Sequence, residues 1–79
     1  MTKLELVFNE IKKEIEYSNK KFSPGFNSNQ EWLGTLREEY KEFEDEIFMS
    51  KEVWKGNEKI KKEAIQVAAM AIKGILSLC

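Results

Sequence analysis

From Ile60 to Leu78 the chain carries apolar or small residues over more than half of a helical wheel. Ile60, Ala64, Val67, Ala71, Gly74 and Leu78 form one seam, and Ile65, Ala68, Ile72, Ile75 and Leu76 widen it. Only Lys59, Lys62, Gln66, Ala69 and Lys73 are left to define a polar side. A helix of this kind must be covered from several directions. The chain has 79 residues, a single domain (1–79) near the lower limit at which one core can stabilise itself. Two further helices of the same chain are too few to cover it. The expectation is therefore an all-α, three-helix chain that completes a helical bundle by oligomerisation, as a homodimer or homotetramer. A tight three-helix monomer is the alternative.

The other two helices are read from their periodicity and punctuation. Leu4, Phe8, Ile11 and Ile15 recur at helical spacing and place a first helix at about 2–20. Lys20 and Lys21 fall in its last turn, where cations suit the helix dipole. Phe22 to Asn27, with its Pro-Gly pair, breaks the pattern. Ser28 followed by Glu31 reads as a capping box that opens a second helix at about 29–50. Its seam is Leu33, Leu36, Tyr40, Phe43 and Ile47, with the end left open because Ser50 to Trp54 can add a turn. Gly56-Asn57 marks the next break, with Asn57 a suitable N-cap for a third helix over about 57–78.

Composition removes several function classes. Charged residues make up 34% of the chain, against a membrane protein, and 42% hydrophobic content argues against disorder. Thirteen basic residues against 14 acidic ones leave a net charge of −1, without the basic face that a duplex-binding protein needs. The one cysteine, Cys79, has no partner in the chain, and the N-terminal stretch lacks the apolar run of a signal peptide. A cytoplasmic protein is expected. Histidine is absent, so catalysis would rest on carboxylates, lysine, tyrosine or a hard metal ion.

The acids supply the chemical signal. Glu39 and Glu46 lie along one edge of the second helix's seam, with Glu42 about 60° further round. Glu63 lies on the edge of the third helix's seam, with Gln66 about 60° beyond. Each i, i+3 pair puts oxygen donors on adjacent turns, and two packed pairs can serve Mg²⁺ or Mn²⁺. From spacing alone a solvated acidic face, common on Glu/Lys-rich helices, is the stronger reading.

Residues 31–47, EWLGTLREEYKEFEDEI, and 62–72, KEAIQVAAMAI, resemble the two core helices of MazG-like proteins of the all-α nucleoside triphosphate pyrophosphohydrolase superfamily. The family pattern is E-E-x-x-E on one helix and E-x-x-D on the next. Small phage-type members resemble this chain in the E-W-L start, the Q-V-A-A run and the Lys21-Phe22 pair before the loop. The similarity runs over residues 18–78. It implies that Glu39, Glu42 and Glu63 are metal ligands, with Glu38 beside them and Gln66 standing where the pattern has Asp. An amide oxygen can bind a hard cation but brings no charge and cannot act as a base, which puts a two-metal arrangement in doubt.

The activity so implied is Mg²⁺-dependent hydrolysis between the α and β phosphates of a nucleoside triphosphate. Glu38 or Glu46 is then the candidate base. Lys21, Lys59 and Lys62 are candidates for phosphate contacts, and Trp32 or Phe22 for stacking on a base. Taken by themselves, the lysines read better as solvated and the aromatics as core or interface. Two alternatives stay open: a non-catalytic protein that binds or sequesters a nucleotide, such as a phage counter-defence agent, and a helical protein-interaction module.

Overall fold

The computed structural model describes residues 1–49 and 58–79. They form three helices, α1 (Lys3–Lys21), α2 (Asn29–Met49) and α3 (Glu58–Leu78), and contain no strand. The expected boundaries agree to within a residue where they can be compared. The turn expected over Ser50 to Trp54 and the Gly56-Asn57 break lie outside the described residues.

Local chemistry fixes the helix starts. A full capping box opens α1: the Glu5 N–H donates to Thr2 Oγ1 and the Thr2 N–H donates to Glu5 Oε1, both at 3.1 Å. These bonds to Thr2 hold the Glu5 carboxyl below its ordinary range. At α2 the Ser28 hydroxyl accepts from the Glu31 N–H at 3.1 Å, as the S-x-x-E spacing predicts. The connection between α1 and α2 is pinned to the far end of α3. Ser77 Oγ accepts from the Phe26 N–H at 3.2 Å and donates to the Lys73 carbonyl at 2.9 Å. Gly25 passes so near that a Cβ there would come within 2.7 Å of Ser77 Cβ.

α3 is the central element. Both α1 and α2 pack along it, and α1 and α2 scarcely meet, so a groove floored by α3 runs between them. The core is small: Ile11, Ala69 and Met70 are buried, with Val7, Ile15, Phe26, Leu36, Ile65, Ala68 and Ile72 packed around them. Among the described residues no large side chain is fully buried. The radius of gyration is 13.5 Å, above the roughly 12 Å of a compact globule of this length.

The packing turns two of the expected faces. On α2, Trp32, Thr35, Leu36, Glu39, Phe43 and Glu46 are the half-buried positions, whereas Leu33, Tyr40 and Ile47 are exposed. The face that meets α3 is thus rotated by about 60° from the seam expected there. Trp32 is the cause: its indole packs on Gly74 so closely that a Cβ at that position would overlap the ring, and its Nε1–H donates to the Met70 carbonyl at 3.0 Å. Seating the largest side chain of α2 in this notch carries Glu39 and Glu46 inward.

On α3 the correction is larger. Ala69, Met70, Lys73 and Gly74 are its buried residues, so Ala69 and Lys73 of the side expected to be polar turn inward, while Lys59 and Lys62 stay exposed. Ala69 and Gly74 let neighbouring helices approach, and Lys73, the one polar residue between them, finds a partner described below. Ile75 and Leu76, expected to be covered, are exposed in the single chain.

Candidate functional site

Because α2 turns its Glu39 side toward α3, two i, i+3 pairs face each other. Glu39, Glu42 and Glu63 each offer a carboxylate oxygen, and these lie within 4.8 Å of one another. With its amide nitrogen turned to the acids, Gln66 donates to Glu39 Oε2 at 3.1 Å and to Glu63 Oε2 at 3.2 Å. Gln66 therefore ties the two helices together as a donor. It would have to turn its amide over to present oxygen to a cation.

Electrostatics show what this crowding costs. The Glu39 carboxyl is pushed up to about 6, by burial first and then by the charges of Glu42, Glu63, Glu14 and Glu38. Glu63 is raised as well, by burial and by Glu42, with a lesser contribution from Glu46 and partial relief from Lys62. Proximity of like charges without a cation raises both groups, and hard oxygen donors at this spacing fit a divalent ion such as Mg²⁺ or Mn²⁺.

The acids stand at one end of a cleft of about 430 Å³ between α1, α2 and the α1–α2 connection. Glu38, Glu39 and Gln66 line that end, with Glu14 entering from α1. Toward the other end are Lys21, Phe22, Tyr17, Phe26, Ser18 and Lys73, with Glu31 also in the lining. Lys21 Nζ lies 5.5 Å from the Phe22 ring centroid and 5.7 Å from that of Tyr17.

Lys73 is 4% exposed. Its Nζ donates to Ser18 Oγ at 2.8 Å and lies 5.3 Å from the centroid of the Phe26 ring. No carboxylate among the described residues comes within ion-pair distance of it. Burial holds the amine below its ordinary range, offset in part by Glu31.

The candidates from the sequence separate accordingly. Glu39, Glu42, Glu63 and Gln66 come together, Glu38 joins them in the cleft, and Glu46 stands near enough for its charge to bear on Glu63. Lys21 and Phe22 line the opposite end. Trp32 does not line the cleft; it is engaged with Gly74 and Met70. Lys59 is exposed and does not line this cleft. Lys62 faces a second, more open groove with Glu10, Glu14, Lys61 and Ile65, where Lys61 pairs with Glu10 at 3.2 Å.

Glu14, Ser18 and Lys73 were not singled out by the sequence, although a heptad signal was present. Ser18 stands seven residues from Ile11, and Lys73 seven from Gln66. Comparison with family models, with curated proteins and with solved structures found no match.

Proposed function

We propose that the chain handles nucleotides, as a MazG-like, Mg²⁺-dependent nucleoside triphosphate pyrophosphohydrolase. One observation carries the reading: Glu39, Glu42 and Glu63 converge to within 4.8 Å, and Glu39 lines a cleft of about 430 Å³, a volume in the range of small-ligand sites. The resemblance of residues 31–47 and 62–72 to the MazG-like core supports it. In this reading Glu39, Glu42 and Glu63 hold the metal. A bound Mg²⁺ supplies neutralisation of phosphate charge and acidification of a water. Glu38, in the cleft beside Glu39, takes a proton from the attacking water, and Gln66 keeps the two metal carboxylates of α2 and α3 in register. Lys21 serves the ligand from the opposite end.

The second reading is a protein that retains a nucleotide without cleaving it. Gln66 favours this: a neutral donor stands between Glu39 and Glu63 where a further carboxylate would favour a second ion. Incubation with Mg²⁺ and each nucleoside triphosphate separates the readings. Release of pyrophosphate supports the enzyme, and recovery of bound, unaltered nucleotide supports the sequestering protein. If Glu39→Gln alters neither metal nor nucleotide binding, the acids are a solvated face and the chain is a helical interaction module.

Self-association belongs to the same proposal. The described chain buries no large side chain fully, while Leu33, Tyr40 and Ile47 remain exposed along one side of α2 and Ile75 and Leu76 on α3. A homodimer or homotetramer covers these surfaces and supplies the core that the single chain lacks. Among the described residues no helix is long and apolar enough to cross a membrane; a cytoplasmic site of action is part of the proposal.

A further inference from the structure

Among the described residues, Lys73 is the one charged side chain that is buried. It has three N–H donors, of which one is used by Ser18 at 2.8 Å, and a ring face of Phe26 lies 5.3 Å away. No carboxylate of the described residues balances its charge at ion-pair distance. Burying an ammonium on these terms is unfavourable, and a methionine of similar length would fill the same space without the penalty. The side chain nonetheless lines the cleft, where its remaining donors can meet a ligand.

Its place along α3 defines which part of a ligand it meets. Lys73 follows Gln66 by two helical turns on the same face, a separation of about 10 Å. If a triphosphate lies at the acidic end, Lys73 stands at the distance of the base. Its neighbours at that end include the aromatic Tyr17, Phe22 and Phe26, with the Glu31 carboxylate also lining the cleft. The negative faces of aromatic rings suit a flat, stacked base better than a second phosphate.

The geometry points to Lys73 as the specificity residue of the cleft, selecting a nucleotide whose base presents a keto oxygen, guanine foremost, over adenine. The O6 and N7 of guanine are both acceptors and match an ammonium's donors. Adenine sets its amino group against them, donor to donor. This inference rests on the nucleotide reading above, and its test is arranged to tell the two apart.

Calorimetric titration of the full chain in Mg²⁺ uses three probes: the α,β-methylene analogues of GTP and ATP, which resist cleavage, and inorganic tripolyphosphate. The wild-type chain is expected to bind the guanosine analogue at least tenfold more tightly than the adenosine analogue. Lys73→Met should bring the two analogues to equal affinity and leave tripolyphosphate unchanged. Equal wild-type affinities for the two analogues would overturn the inference while keeping the nucleotide reading. So would an equal loss of tripolyphosphate binding in Lys73→Met, which would make Lys73 a phosphate contact. Failure of all three probes to bind would overturn both. The comparison within the wild type needs no variant to fold.

Discussion

The Trp32 indole packs on Gly74 in the space that any larger residue's Cβ would occupy, and its N–H donates to the Met70 carbonyl at 3.0 Å. This contact joins α2 to α3 and sets the rotation of α2. Gly74→Ala should therefore lower stability by about 2 kcal/mol, or roughly 10 °C in melting temperature for a domain of this size. Trp32→Phe should be milder, losing about 1 kcal/mol for the hydrogen bond. Thermal melts followed by circular dichroism check both, and an unshifted melt for Gly74→Ala would remove Trp32 as the anchor.

The acid cluster gives a pH signature with a defined sign. Glu39 titrates at about 6 in the folded chain against an ordinary 4.5, and Glu63 is also raised. Between those values the folded chain binds more protons than the unfolded one, so their contribution to stability falls as pH rises from about 4.5 through 6. Glu39→Gln should flatten that decline in a series of melts. If the variant's pH profile overlays that of the wild type, the carboxyl is not perturbed.

Divalent metal should reverse the same effect. Mg²⁺ or Mn²⁺ held by Glu39, Glu42 and Glu63 requires their charged forms, so ion binding should weaken as pH falls below about 6 and release protons near that pH. The expected stabilisation at neutral pH grows with ion concentration by mass action. Melting shifts in millimolar Mg²⁺, for the wild type and Glu63→Gln, give the measurement; equal shifts in both would take Glu63 out of the site.

Tyr40 is 55% exposed in the middle of the apolar side of α2, between Leu33 and Ile47. If a second copy covers this side, Tyr40→Glu buries a charge in the interface and should produce monomers of reduced stability. Sedimentation velocity at several concentrations tests this. A wild-type chain that stays monomeric throughout would end the proposal of self-association.

Lys73→Met should stabilise the chain by roughly 1–2 kcal/mol, since it exchanges a buried ammonium, only partly offset by Glu31, for an apolar group of similar length. A chemical denaturation midpoint that rises in the variant is the expected outcome. A fall would mean that the bond to Ser18 outweighs the cost of desolvation.

How much of this could be read beforehand depends on the range of the interaction concerned. Ser28 and Glu31 announced the start of α2 because a cap is local. Glu39, Glu42, Glu63 and Gln66 could be grouped because i, i+3 spacing survives any rotation of a whole helix. The rotation itself was not legible. Periodicity put Leu33, Tyr40 and Ile47 inside, and only the fit of Trp32 on Gly74, 42 positions later in the chain, turns them out. Lys73 was read as solvent-facing for the same reason: its hydroxyl partner, Ser18, lies on a different helix.

Lys73 and Gly74 are consecutive, yet they answer to different demands. Position 74 tolerates no side chain beneath the indole, whereas position 73 contacts one hydroxyl and an open cavity. Drift in ligand preference among descendants of this chain should accordingly concentrate on the first of these neighbours while the second stays glycine. In a saturation library position 73 would therefore accept more replacements than position 74.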